Sequence, residues 1–206
     1  MSELNLALAA TNYGNFPNVP LIYVGVESND STDLAPPLGA KGAVRKRVRE
    51  GEQDMLETIN GRRHYVLPLT HEDMALHLGR QPSFDHPRVV AVTECLYAHE
   101  EAEPSTPIDT VYLSGRLPRK FFRFVERTLT EVTNPQFEGG YKKSIKNGLV
   151  SLADLLAYEI FVQMQKLRNS NGNRHQGEDF FMKALADSRY SHLLVEPKWE
   201  RYASIF

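Results

Sequence analysis

Five of the seven histidines, His64, His71, His77, His86 and His99, fall in one 36-residue stretch that also carries Glu72, Asp73, Asp85, Glu94 and Glu100. Imidazole and carboxylate are the ligands that Zn²⁺ and related ions use, and Asp73 and His77, four residues apart, would share a helix face. These two are the candidates for a metal or acid/base site. Against that reading, His71 and His77 are six apart and diverge on a helix, and the other histidines sit at irregular spacing on different predicted elements. Surface and capping positions near helix ends account better for the stretch.

Nucleophilic chemistry has less to work with. The single cysteine, Cys95, lies beside Leu96 and near Val92, so it reads as a small core residue rather than an activated thiolate. Ser114 and Ser151 lack a nucleophile's context. No phosphate-cradling GxxxxGK[ST], GxGxxG, GxSxG, HExxH or CxxC pattern occurs. No cofactor is called for, and no catalytic residue is assigned.

Cations are grouped more suggestively. Lys41, Arg45, Lys46, Arg47 and Arg49 put five positive charges in nine residues, followed by Glu50, Glu52, Asp54 and Glu57. On a helix this polarity opposes the macrodipole, which favours anions at the N-terminus. Such a segment suits phosphates or an acidic partner surface; otherwise it is a solvated charged face. A second cluster, Arg116, Arg119, Lys120, Arg123 and Arg127, is interleaved with Phe121, Phe122 and Phe124. Phe121 and Val125 belong to a buried stripe, leaving Phe122 as the ring expected to be exposed, too little for a stacking platform. Lys142, Lys143 and Lys146 form a third patch. At the other extreme of polarity, Trp199, Tyr202, Ile205 and Phe206 crowd the end of the sequence. They are expected to fold back on the core or to anchor a protein interface.

These residues must be positioned by recognisable elements. Leu21 to Val26 reads as a buried strand bounded by Pro20 and a polar cluster. Val44, Val48, Met55 and Ile59 recur at helical spacing over Lys41 to Ile59. Arg62 to Leu67 is a predicted short strand ended by Pro68, and Thr70 with Asp73 forms a capping box for a helix that Gly79 closes. Arg88 to Tyr97 is apolar on both alternating faces and is expected to be a central strand, forming a hairpin with a strand at Thr110 to Leu113. A helix follows from Pro118, with Phe121, Val125, Leu129 and Val132 as its stripe. Ser151 with Asp154 caps the most periodic helix, running to Leu167. Asn169 to Gly177 is a predicted loop, Glu178 to Ala186 a short helix, and His192 to Val195 a last strand.

The order predicts an α+β fold: a small mixed or antiparallel sheet of about 4–5 strands packed against helices, with a helix-rich C-terminal half. The expected division is an α+β domain over 1–135, a Gly/Lys-rich hinge over 136–148 and a helical subdomain over 149–206 packed on the first. The 206 residues, with 24 basic and 26 acidic side chains and 41% hydrophobic residues, exclude a disordered chain and a membrane-spanning one. One cysteine allows no internal disulfide, and the first eleven residues lack a leader's pattern, so a cytoplasmic protein is expected.

By elimination, the residues point first to a non-catalytic interaction or assembly protein that uses basic loops and an aromatic tail to bind a protein partner or a second copy of itself. The alternatives are a nucleic-acid-binding protein contacting phosphates through Lys41 to Arg49 and Lys142 to Lys146, and a small metal-dependent enzyme centred on Asp73 and His77.

Overall fold

The computed structural model describes residues 3–10, 21–34, 46, 61–79, 86–114, 119–129, 135–138, 147–171 and 192–205. The strands are β1 (Asn5–Ala10), β2 (Leu21–Ser28), β3 (His64–Leu69), β4 (Thr110–Leu113), β5 (Gln136–Glu138) and β6 (Leu193–Leu194). The helices are α1 (His71–His77), α2 (His86–Ala102), α3 (Arg119–Thr128) and α4 (Gly148–Asn171). The strands form one sheet in the order β5-β4-β1-β2-β3-β6. β2 is antiparallel to β1 and β3, whereas the pairs β1/β4, β4/β5 and β3/β6 are parallel. The fold is therefore the expected mixed sheet with helices, with six strands rather than 4–5.

Side-chain alternation divides the core into two layers, one on each face of the sheet. Ala7, Ala9, Ile22, Val24, Val26 and Val66 face α4, where they meet Leu149, Leu152, Ala153, Leu156 and Ile160. Leu6, Leu8, Tyr23, Tyr65, Leu67 and Leu69 face the opposite layer, built on α2 with Phe121 and Val125 of α3. The alanines of β1 present little bulk to α4, the helix packed across β1 and β2. Gly25 has a comparable role on the other face: a Cβ there would lie 3.2 Å from both Cys95 Sγ and Leu6 Cδ1. α2 thus rests against a strand surface where a methyl group would fit only if Cys95 or Leu6 gave way by a few tenths of an ångström.

Several expectations change for identifiable reasons. Arg88 to Tyr97 is part of α2, not a strand, and it forms no hairpin with β4. The segment looks apolar on every side because Val89 through Tyr97 are all buried, so neither a helical nor a strand period is expressed. β1 is not expected from the sequence; its run of five small and apolar residues, Leu6 to Ala10, is too short to announce itself. Pro68 lies within β3, opposite Ile22. It is accommodated because β6 pairs only with Tyr65 and Val66, leaving the Pro68 side of β3 as an edge. α4 begins earlier than expected, with Asn147 Oδ1 accepting from Val150 N at 2.8 Å in place of a Ser151 cap. Gln136–Glu138, placed by sequence at the start of a hinge, extend the sheet as β5. Asn169–Asn171 belong to α4 rather than to a loop.

Other readings hold. Thr70 caps α1, accepting from Asp73 N at 3.0 Å, and Gly79 follows the helix with φ 91°. β2 and β4 fall where expected, and α3 lies within the expected helix but ends at Thr128, before Leu129 of the expected stripe. The helices expected over Lys41 to Ile59, Lys46 apart, and over Glu178 to Ala186 lie outside the described residues. Among the described residues, no helix is long and apolar enough to cross a membrane.

Candidate functional site

The sheet offers one topological position where ligands collect. β1 and β4 are parallel neighbours, but the chain leaves β1 toward β2 on one side and leaves β4 toward β5 on the other. Connections that diverge in this way open a crevice at the carboxyl ends of the two strands. Here it is narrow, about 10 Å³, and lined by Leu8, Ala9, Ala10, Tyr23, Arg88, Leu113, Ser114 and Phe121. A water-sized group fits; a nucleobase does not. Ser114 N donates to Leu8 O at 3.0 Å, fixing the ends of the two strands together. Arg88 reaches the crevice from the first turn of α2, a turn with no acidic residue. Its guanidinium and the adjoining helix N-terminus both favour an anion.

A polar network closes the opposite end. Glu27 Oε1 accepts from Tyr65 OH and lies 2.6 Å from His99 Nδ1, while His99 Nε2 lies 2.6 Å from Thr106 O. Both ring nitrogens of the buried His99 therefore meet acceptors, which calls for two protons on the ring. Burial opposes that charge, but the bonds to Glu27 and to the Thr106 carbonyl outweigh it and raise the His99 pKa. Burial, reinforced by the Glu27 carboxylate, likewise keeps Tyr65 protonated. Arg63 joins through Glu103 at 2.7 Å and Glu27 at 3.7 Å. Glu27, Arg63, His99, Glu103 and Thr106 border a cleft of about 280 Å³, but both ring nitrogens of His99 and the Glu27 carboxylate are bonded internally. They lock α2 to β2 and β3 rather than present a reactive base.

A third cluster resolves the aromatic tail. Tyr202 is buried within its own chain, its hydroxyl donating to Glu94 Oε1 at 2.7 Å. Arg201 Nη1 holds Glu94 Oε2 at 2.7 Å, and its guanidinium lies 3.7 Å from the centre of the Tyr97 ring. Trp199 is half-buried and stacks on His77, with ring centres 4.6 Å apart and planes 6° apart. Ile205 is also half-buried. The tail thus clamps α1 and α2. Tyr202 has no surface to offer a partner, and Phe206 lies outside the described residues.

The remaining expected sites are dispersed or not described. Asp73 accepts from Thr70 Oγ1 at 2.5 Å as part of the α1 cap, and His77 stacks on Trp199; among the described residues, neither belongs to a group of three His, Cys, Asp or Glu side chains that could hold a metal. Lys46 is exposed. Lys41, Arg45, Arg47, Arg49, Lys142, Lys143 and Lys146 lie outside the described residues. Phe122 is half-buried, edge-on to Phe121 and Phe137. Sequence reasoning misses Arg88 because it assigns the residue to a strand; Pro87, suited to the first turn of a helix, is the available signal. Burial raises the Cys95 thiol pKa, in keeping with its expected inert role.

This architecture resembles that of solved RNase HIII structures. The chain matches a mutant protein of Bst-RNase HIII with a TM-score of 0.55 and 13% identity, covering 82% of this chain and 55% of that one. It matches Bst-RNase HIII in complex with Mn²⁺ with a TM-score of 0.55 and 14% identity, covering 90% of this chain and 61% of that one. A weaker likeness, TM-score 0.48 at 16% identity, is to the PCNA:RNase HII complex from Archaeoglobus fulgidus, over 88% of this chain and 84% of that one. The chain thus spans 55–61% of the length of the two RNase HIII structures. At these identities the likeness is one of fold. No protein-family model and no curated protein matches the sequence.

The fold likeness overturns the expectation of a non-catalytic interaction or assembly protein, since the Bst-RNase HIII structures it matches are of a ribonuclease. That expectation rested on missing motifs, whereas the likeness resides in strand order and direction. A Mn²⁺ site can be tested against the side chains. Mn²⁺ favours carboxylate and water oxygens, but the crevice is lined by Arg88 and contains no carboxylate or imidazole. The buried acids Glu27, Glu94 and Glu159 lie on different elements, and no three His, Cys, Asp or Glu side chains converge among the described residues. This donor set does not fit the ion.

Proposed function

We propose that this protein acts on an RNA-containing nucleic acid, held at the carboxyl ends of β1 and β4. The observation that carries the reading is the sheet order β5-β4-β1-β2-β3-β6, with its parallel β1/β4 pair, in an architecture similar to Bst-RNase HIII. The crevice chemistry supports a phosphate as the contacted group. It admits one oxygen-sized group, Arg88 supplies a guanidinium, and Ser114 supplies a hydroxyl. The buried cysteine thiol is in keeping with a reducing compartment such as the cytoplasm.

The fold likeness supports hydrolysis, and the described crevice is lined by a cation and a hydroxyl rather than by carboxylates. The test is fluorescence anisotropy with labelled RNA, RNA–DNA duplex and DNA duplex across a salt series. RNA-containing probes should bind, and Arg88→Ala should weaken binding about tenfold, the loss of one charged hydrogen bond. A wild-type protein that binds no RNA-containing probe at low salt would sink the reading. Adding Mn²⁺ to the bound probes and resolving the products separates binding from cleavage.

A further inference from the structure

α3 carries a feature that the crevice does not explain. Lys120, Arg123 and Arg127 are all exposed, and at spacings of three and four residues they fall within one narrow arc of the helix. The opposite side, Phe121, Val125 and Thr128, is buried. The only acid on the helix, Glu126, is exposed and lies outside the basic arc. Among the described residues none of the three cations has an ion pair. Helix geometry spaces them at about 4.5 and 6 Å along the axis, a run of roughly 10 Å. That length is commensurate with about three nucleotides of one strand, at ~3.4 Å of axial rise each.

Position gives the row a direction. Phe121, which follows Lys120 in the chain, lines the crevice from the buried side of α3, so the row on the exposed side starts at the helix turn next to the crevice. Phe124 borders the row and is half-buried, edge-on to His86 with ring centres 5.3 Å apart.

We propose that Lys120, Arg123 and Arg127 form a rail for the sugar-phosphate backbone of the nucleic acid whose strand enters the β1/β4 crevice. The proposal rests on the reading of the chain as acting on RNA. Its test is the salt dependence of RNA binding by the full chain and by the K120A/R123A/R127A variant. Three lost phosphate contacts should reduce the slope of log Kobs against log salt by about 2–3 and weaken binding at every salt concentration. Because these side chains are exposed, thermal melting should be unchanged. Glu126→Gln should act in the opposite sense, tightening binding about twofold through the loss of one repulsive charge, a gain that misfolding could not produce. A triple variant that binds RNA with the wild-type slope overturns the rail while leaving the RNA reading intact. A wild-type protein that binds no RNA overturns both. If vesicles containing phosphatidylserine bind the wild type but not the variant, and RNA binding is unaffected, the row belongs to an anionic lipid surface and the rail is rejected.

Discussion

Replacing Glu27 by Gln separates the charge of the buried network from its shape. The carboxylate is buried, accepts from Tyr65 OH, lies 2.6 Å from His99 Nδ1 and has Arg63 at 3.7 Å. Gln fills the same space but removes the anion that keeps His99 protonated. Breaking a buried pair on one side costs about 3–5 kcal/mol. Arg63 retains Glu103 at 2.7 Å, so we take the lower figure, about 3 kcal/mol, equivalent to a fall in Tm of roughly 6–12 °C for a chain of this size. The loss should also depend on pH. The folded His99 pKa is raised above 6.5, so its stabilisation is fully present below pH 6.5 and is lost as pH rises through the folded value. The gap in Tm between wild type and E27Q should therefore be widest near pH 6 and narrow progressively in alkali. Circular-dichroism melts in a single buffer series from pH 6 to 9 measure it. A gap that is constant or that widens with pH would refute the assignment of His99 as the charged partner.

Two further perturbations probe the packing around α2. Tyr202→Phe removes a hydroxyl bonded to a buried carboxylate and should cost about 1.5–3 kcal/mol; in a cycle with Glu94→Gln measured by urea denaturation, the two losses should be coupled by at least ~0.5 kcal/mol, and strict additivity would count against the clamp. Gly25→Ala should cost about 1–3 kcal/mol by overpacking against Cys95 Sγ and Leu6 Cδ1. Cys95→Ala should recover part of that loss, and the reasoning fails if the double variant is no more stable than the sum of the two single losses.

What the residues disclosed in advance follows from how each element is solvated. β2 and α3 were legible because each is set off by a clear boundary or a one-sided pattern: Pro20 before β2, and a buried Phe121/Val125 stripe beneath exposed cations on α3. α1 was legible because its Thr70 cap and Gly79 stop are local chemistry. α2 was not, because it is enclosed by the sheet, α3 and the C-terminal segment, and a helix buried all round shows no period. Length was the better guide: apolar and helix-compatible residues continue from Val89 to Ala102, too long for a typical strand. β1 was hidden for the opposite reason, since its alanines are chosen by the close approach of α4 rather than by strand propensity.

The site was obscured by the same misassignment. With Arg88 on a strand, no reason existed to bring it to the ends of β1 and β4, and the cations of α3 surrounded aromatics needed only for the core. Once α2 is a helix, its first turn delivers Arg88 to the crevice, and Phe121 anchors the start of α3 at the same place. Two basic features some thirty residues apart in sequence then share one end of the sheet. On the proposal above, it is this proximity, rather than the number of cations in the chain, that would separate a nucleic-acid surface from charge that only solvates the protein. It also makes the two parts separable by experiment. Arg88→Ala should reduce the salt slope by about one contact and the α3 triple variant by about two to three. If both contact one strand, the combined variant should show nearly the full sum of the two reductions. A combined slope no smaller than that of the α3 variant alone would mean that the crevice and the helix do not hold the same ligand.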